Sequence, residues 1–224
     1  GTSSVRYYGK TITAPLKDLS GGSRPSPSGS NPDIGAIENS RAVRDVKAVT
    51  VKSDGSGDYA TIQSAIDAIS DADTVLVYPG TYQENINYNG KNIVLKSTDG
   101  PLTTILVPGN NSIPVVKIIN GETASAFLSG FTIKDGGNVR GSGLRIYGSP
   151  TIENCIIKEC DDAALATIHS SSEIRNCLIK SNAQEGLFID VNDQSDGPKI
   201  INCTIVDNGN VGLTSSATNG IPEI

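Results

Sequence analysis

Three segments of this chain align with one another without gaps, and their repetition decides the fold: TIENCIIKEC at 151–160, EIRNCLIKSN at 173–182 and KIINCTIVDN at 199–208. A fourth segment, FLSGFTIKDG at 127–136, fits the pattern with Gly130 in the place of the asparagine. Successive segments begin 24, 22 and 26 residues apart. Periods of about 20 to 30 residues that carry short strands are typical of a solenoid.

A second apolar element recurs in phase with the first: SGLRIYG from Ser142, AALATIH from Ala163, EGLFIDV from Glu185 and VGLTSSA from Val211. Each period then holds three short strands, a sharp turn at the asparagine and no helix. This pattern predicts an all-β parallel β-helix with three strands per coil and coils of 22–26 residues.

The repeated asparagines and cysteines occupy defined places in each coil. Asparagine accepts the left-handed backbone conformation, and its amide can hydrogen-bond to the next coil, which places Asn154, Asn176 and Asn202 at the turn. Alternation along the strand then directs Cys155, Cys177 and Cys203 into the core. Because the coils stack about 4.8 Å apart, these three cysteines form a column. We predict that these and Cys160 are free thiols, because a column rarely supplies the dihedral angle of a disulfide. The absence of a CxxC pair argues against zinc.

The chain changes character near residue 46. Residues 1–45 include a Ser/Gly/Pro-rich stretch at 20–32 and are predicted to be a tail or linker of a preceding unit. Residues 46–224 are predicted to form the β-helix, truncated at its C-terminal end. Apolar residues at helical spacing within 61–70 predict an amphipathic helix that caps the open end of the first coil.

The overall charge restricts the ligand. A net charge of −6 argues against nucleic acid, which requires a basic footprint. It also disfavours a polyanion unless a local basic patch or a bridging cation offsets the repulsion. No apolar run approaches the length of a membrane span.

Two regions resemble known β-helix families. The stretch 46–107, with GDYATIQSAIDAI and DTVLVYPGTYQENI, resembles the opening of pectin-methylesterase-like and pectate-lyase-like proteins. The repeats are similar to those of secreted bacterial right-handed β-helix proteins, and residues 18–38 resemble the motif that ends such domains. The resemblance implies a right-handed parallel β-helix, an extracellular or cell-surface location, a polysaccharide partner and further domains of a larger secreted protein. This sequence contains no match to the paired aspartates, the glutamine motif and the arginine of pectin methylesterases. It also lacks the polygalacturonase signature.

The lyases that this chain resembles hold their substrate along the strand that precedes the asparagine-containing segment. On that strand Arg145, Tyr147, Phe188 and Asp190 are predicted to point outward. They form a candidate sugar-binding strip, with aromatic faces for pyranose rings and charged groups for hydroxyls. The alternative is an ordinary mixed surface.

Two further groups are candidates for ion or ligand binding. Asp190, Asp193 and Asp196 have a spacing that can gather oxygen ligands for calcium, although an acidic solvated loop is the alternative. Lys134, Lys158 and Lys180 are predicted to form an outward column on a different face. Stacked lysines repel one another, so the column requires an explanation. One is an anionic ligand, and the other is that the charges protect an otherwise aggregation-prone face. We favour the second explanation.

Three function classes follow. The first is an extracellular polysaccharide-binding module, and no catalytic residue is assigned. The second is a polysaccharide lyase or esterase with catalytic coils partly outside this chain, lyase-like if it is an enzyme. The third is a structural or adhesive spacer. Two carboxylates beside Arg145 would favour an enzyme, and exposed aromatic side chains on a flat face would favour binding.

Overall fold

The computed structural model describes residues 4–7, 10–13, 45–191 and 196–217. The chain divides into two compact units, residues 1–45 and 46–224. In the first unit, β1 (Ser4–Tyr7) pairs antiparallel with β2 (Lys10–Thr13). The Ser/Gly/Pro-rich stretch predicted to be a linker lies outside the described residues.

The second unit consists of short strands and one helix. In chain order its elements are β3 (Ala48–Val51), α1 (Ile62–Ala68), β4 (Thr74–Val77), β5 (Gly80–Gln83), β6 (Ile86–Asn87), β7 (Val94–Ser97), β8 (Thr104–Val107), β9 (Val116–Ile118), β10 (Phe127–Ser129), β11 (Thr132–Lys134), β12 (Leu144–Ile146), β13 (Thr151–Glu153), β14 (Ile156–Lys158), β15 (Leu165–Ile168), β16 (Glu173–Arg175), β17 (Leu178–Lys180), β18 (Leu187–Val191), β19 (Lys199–Ile201), β20 (Thr204–Val206) and β21 (Leu213–Ala217).

These strands stack into three parallel sheets. The first sheet has the order β19-β16-β13-β10-β7-β4-β3, the second β20-β17-β14-β11-β8-β5 and the third β21-β18-β15-β12-β9-β6. β3 and β4 pair in the first sheet with α1 between them. From β4 onward, successive strands belong to different sheets, and each strand pairs with its counterpart one coil away. The predicted parallel β-helix with three strands per coil is confirmed.

Coil length is more variable than the repeat predicts. From Phe127 onward, first-sheet partners are 24, 22 and 26 residues apart, as expected. Val94, however, pairs with Phe127, which makes the preceding coil 33 residues long. Its connections between strands are longer, and they include a loop that Asn85 holds through hydrogen bonds from its Nδ2 to the carbonyls of Asn110 and Pro114.

The core is a stack of inward-facing side chains. Ile152 and Ile174 are fully buried, as are Leu144, Leu165 and Leu187 of the third sheet. Full burial of such a side chain contributes roughly 1.5–3 kcal/mol relative to exposure. Like residues recur in register, so the core forms continuous columns along the coils.

The four cysteines are free thiols, as predicted. Cys155, Cys160 and Cys177 are buried and Cys203 is half-buried. Burial raises the pKa of the Cys160 thiol to about 11, which keeps this group neutral. The thiols therefore behave as small apolar side chains of the core.

The turn asparagines adopt the predicted conformation. Asn154, Asn176 and Asn202 have φ of 53°, 53° and 50°, and Gly130 at the equivalent position has φ of 82°. Asn202 Nδ2 donates to Asn176 Oδ1 at 2.7 Å, which confirms one bond of an amide ladder.

The helix α1 caps the first coil, as predicted. Thr61 is its N-cap and accepts from Ser64 N, while Ile62 and Ile66 are fully buried against the first strands. The Glu84 carboxylate accepts from the first free backbone N–H groups of the helix, those of residues 62 and 63, at 2.9 Å each. Within the described part of the chain, no helix is long and apolar enough to cross a membrane.

Candidate functional site

The outer face of the third sheet carries one continuous row of side chains. Pairing between neighbouring strands aligns them in the order Asn87, Lys117, Arg145, Ala166, Phe188 and Thr214. Adjacent members lie about 4.8 Å apart along the sheet. The row therefore places the predicted residues Arg145 and Phe188 two coils apart, with Ala166 between them.

A loop from the coil of Arg145 crosses this row. Arg145 donates from Nε to the carbonyl of Arg140 at 2.7 Å and also donates from its Nη2. The Arg140 guanidinium lies over the Phe188 ring, 4.0 Å from its centroid. Gly141, with φ of 66°, permits the close approach, because a Cβ there would come within 2.7 Å of the Ala166 Cβ. Phe188 is thus half-buried beneath an arginine, so the predicted strip is partly covered.

Positive charge dominates this end of the face. Lys117, Arg140 and Arg145, called here the third-sheet cation cluster, form no salt bridge with any carboxylate of the described residues. Stacking Lys117 directly beside Arg145 costs free energy through repulsion. A cluster of this kind produces a positive local potential in a chain whose net charge is −6.

The other two predicted strip residues form a second row. Asp190 pairs with Ile168 on one side and Ser216 on the other, and its Oδ1 accepts from Ser216 Oγ at 3.2 Å. Tyr147 follows β12 at the corresponding position one coil before Ile168, and it is 45% exposed. All four predicted residues therefore share one face, with Asp190 at the end away from Lys117.

The predicted calcium ligands are described only in part. Asp190 lies on β18 and Asp196 is exposed, but Asp193 lies outside the described residues. Among the residues that the structure describes, no three ligating side chains form a metal-binding group. The calcium site stays a prediction.

Two carboxylates lie where strands of the third sheet begin. Ala164 N donates to the Glu185 carbonyl, which places Glu185 one coil beyond Asp162 and Ala163. Asp162 Oδ1 accepts from Ala163 N at 2.6 Å. Both side chains are half-exposed, in the connections that lead into β15 and β18.

The second-sheet lysine column consists of Lys134, Lys158 and Lys180, which lie in register as predicted. Glu159 interleaves with it: its carboxylate accepts from Lys158 Nζ at 2.8 Å and from Lys134 Nζ at 3.4 Å. Asp135 adds an ion pair with Lys134 at 3.1 Å. Local carboxylates therefore offset much of the repulsion within the column.

Sequence reasoning missed Lys117 and Arg140 as members of the third-sheet cation cluster, and it missed Glu185 in the connection before β18. Lys117 lies in a coil before the recognisable repeat, and Arg140 lies in a loop with no counterpart in other periods. The signal that could have identified Arg140 is the glycine-rich loop GGNVRGSG immediately before the strand of Arg145.

These features define a parallel β-helix whose third-sheet face is basic and partly covered by a loop. The model of the family described as "Right handed beta helix region" matches residues 103–222, more than half of the chain. The chain belongs to this family, which confirms the predicted handedness.

Individual relatives are named for pectin. The chain is 34% identical over 93 residues to "Pectinesterase/pectinesterase inhibitor" of Ficus pumila var. awkeotsang, covering 39% of this chain and 17% of that protein. It is 35% identical over 83 residues to "Probable pectinesterase/pectinesterase inhibitor 17" of Arabidopsis thaliana, covering 36% of this chain and 16% of that protein. The chain thus spans about one sixth of the length of these relatives.

A solved structure shares the fold. The pectin methylesterase from Aspergillus niger superposes with a TM-score of 0.55 at 16% identity, covering 80% of this chain and 61% of that chain. This likeness concerns the arrangement of coils and sheets.

Proposed function

We propose that the third-sheet face binds an acidic polysaccharide of the pectin class. The observation that carries the proposal is the third-sheet cation cluster, whose members have no carboxylate partner among the described residues. Uronic acid carboxylates would supply the missing negative charge. The names of the sequence relatives support the same class of polymer.

The arrangement of the cluster suits a linear polyanion. Guanidinium groups bind carboxylates through paired, charge-assisted hydrogen bonds, which makes Arg140 and Arg145 suitable ligands for uronates. The row of side chains continues along the coils past Phe188, which offers apolar surface for the sugar rings. A chain lying along the row would thus meet cations first and an aromatic edge next.

The cation cluster also explains how a chain of negative net charge can bind a polyanion. A chain at −6 repels a polyanion at long range, but a local cation cluster dominates within about 8–10 Å at moderate ionic strength. Binding without a bridging calcium ion is then possible on this face.

Titration calorimetry with three polysaccharides tests the proposal. Polygalacturonate should bind, its affinity should fall with added salt, and neutral dextran should not bind. Arg145→Gln should weaken binding about tenfold, since hydrogen bonds to charged groups contribute about 1.5–3 kcal/mol. Lys96→Gln is the matched control, because it removes an exposed cation that lies on the outer face of the first sheet. This variant should bind like wild type. Equal affinity for dextran, or equal losses in both variants, would reject the proposal.

Ester hydrolysis is the second candidate function. The sequence relatives named as pectinesterases favour an esterase over the lyase considered from sequence. Asp162 and Glu185, one coil apart at the start of third-sheet strands, offer carboxylates for nucleophilic or general acid–base chemistry. Arg145 lies on β12 of the same sheet's outer face, where its neighbours in the row are Lys117 and Ala166.

Methanol release from methyl-esterified pectin tests this second function. An esterase should release methanol without forming unsaturated sugars, and Asp162→Asn and Glu185→Gln should each abolish the release. Asp207→Asn, an exposed carboxylate on a different turn, is the control and should retain activity. Unsaturated product would instead indicate a lyase.

Extracellular or cell-surface location, and membership of a larger secreted protein, stay predictions.

A further inference from the structure

A second surface groove follows the turn between the first and second sheets, away from the third-sheet row. This ladder groove has a volume of about 840 Å³, and its lining includes Ser97, Gly130, Asn154, Asn176, Asn202 and Thr204. These residues come from five successive coils, so the groove runs for roughly 19 Å along the axis at about 4.8 Å per coil. Its length and direction suit a linear ligand.

The chemistry of the ladder groove differs from that of the third-sheet face. Among the described residues, its lining includes no charged side chain and consists of amides, hydroxyls, glycines and a few apolar groups. The charges on its first-sheet side are paired, since Arg175 binds Glu173 at 2.6 Å and Glu153 at 3.4 Å. Ile156 and Leu178 form its half-exposed apolar side.

The amide ladder in the groove is incomplete. Asn202 donates to Asn176, but within the described chain no hydrogen bond engages the Asn154 carboxamide or the Asn176 Nδ2 group. Gly130 then replaces the next asparagine, so the ladder has no carboxamide at the position beside Ser97 and Gly100. Exposed donors and acceptors therefore line the groove where the ladder stops.

We propose that the ladder groove is a binding site for a neutral, linear carbohydrate. Sugar hydroxyls both donate and accept, so they match free carboxamides, which also do both. The apolar faces of pyranose rings would pack on Ile156 and Leu178. The lack of charge in the lining disfavours a uronate, so this site is distinct in chemistry and in place from the acidic-polysaccharide site.

Calorimetric titration with cellohexaose, xylohexaose and mannohexaose tests this site. At least one should bind, and Asn154→Asp should weaken it about tenfold, because the change removes two donors and brings a charge into the groove. Asparagine and aspartate both tolerate the left-handed turn, so the fold should persist. The control Asn110→Asp makes the same chemical change on an exposed loop, where Oδ1 can still accept from Ser112 N.

Gly130→Asn provides a second variant. Asparagine occupies positive φ at the equivalent turns, and its Cβ would lie 3.2 Å from the Ser97 Cβ. Ser97 must therefore shift slightly, and the new carboxamide would enter the groove and extend the ladder. Binding of the neutral hexasaccharide should be lost, while binding of polygalacturonate should persist in both groove variants. Failure of all three hexasaccharides to bind, unchanged affinity in both variants, or loss of neutral binding in Arg145→Gln instead would overturn the inference. None of these outcomes depends on whether the third-sheet face binds an acidic polymer.

Discussion

The second and third sheets of this β-helix both stack cations in register on their outer faces, but they treat the charge differently. On the second sheet, Lys134 and Lys158 share the Glu159 carboxylate, and Asp135 adds another ion pair. On the third sheet, Lys117 lies beside Arg145 without any described carboxylate partner. Repulsion along a column can thus be offset within the protein or left for a ligand to offset. The first arrangement favours the fold, and the second favours binding.

The largest expected effect comes from removing each set of charges in turn. Replacing Lys117, Arg140 and Arg145 by glutamine should lower affinity for polygalacturonate by about a hundredfold, corresponding to ~2.8 kcal/mol. Replacing Lys134, Lys158 and Lys180 by glutamine should change it by less than about threefold, since Lys134 and Lys158 already have carboxylate partners and a single exposed lysine contributes little. Calorimetry at low salt, with circular dichroism to verify folding, measures both.

The comparison fails if the two triple variants lose affinity equally. Equal losses would mean that the polyanion responds to overall charge and not to the unpaired cluster. A larger loss in the second-sheet variant would transfer the binding site to that sheet.

The next effect concerns how Arg140 is held over the third sheet. Phe188→Leu keeps an apolar side chain but removes the ring beneath the guanidinium. Such contacts contribute about 0.5–1 kcal/mol at exposed sites, so affinity for polygalacturonate should fall about two- to fivefold. Tyr147→Leu serves as the control, because it removes an aromatic ring on the same face that no cation of the described residues contacts. An equal loss in both variants would show that the rings act by contacting sugar and not by positioning Arg140.

Features set by local alternation and by the repeat could be predicted from sequence. The inward Cys177, the left-handed turn at Asn176 and the outward Lys158 follow from the period of two and from the conformational tolerance of asparagine. The cap helix follows from the spacing of its buried residues, including Ile66. Because the coils stack in register, the assignment of inward and outward residues in one coil also predicts the assignment in the next.

Features made by connections between strands could not be predicted in the same way. Arg140 reaches Phe188 because a loop crosses the sheet, and no counterpart in another period signals that path. The 33-residue coil from Val94 to Phe127 likewise departs from the repeat. The sequence does not identify Glu159 and Asp135 as partners of the lysines, because their turn positions give no direct sign of where the carboxylates point.

A smaller effect should appear when the second-sheet charges are unpaired. Glu159→Gln, made in the third-sheet triple variant, removes the carboxylate that Lys134 and Lys158 share. Polygalacturonate should then bind this background about two- to threefold more tightly, because Lys158 becomes available to an external anion while Lys134 keeps its ion pair with Asp135. Titration calorimetry at low salt measures the gain. No gain would mean that Glu159 does not control the ligand-binding capacity of this face.

The smallest effect is the contribution of this ion pair to stability. Hydrogen bonding and charge from Lys158, and secondarily from Lys134, hold the pKa of the Glu159 carboxyl below its ordinary value. A depressed pKa means that the stabilisation is present above the ordinary pKa of a glutamate, and that it is lost as the pH falls through the lowered value. Since the Glu159 side chain is 45% exposed, solvent limits the contribution to about 0.3–0.5 kcal/mol.

Urea unfolding of wild type and Glu159→Gln at a series of pH values measures this contribution. The free energies of unfolding should differ by about that amount at neutral pH and converge at acid pH, when both side chains are uncharged. Asp207→Asn alters the equivalent left-handed turn, where no described lysine pairs with the carboxylate, and should show no such convergence. A Glu159→Gln difference that persists unchanged into acid would assign the effect to the turn conformation. The second-sheet column would then be tolerated for a reason other than its interleaved carboxylates.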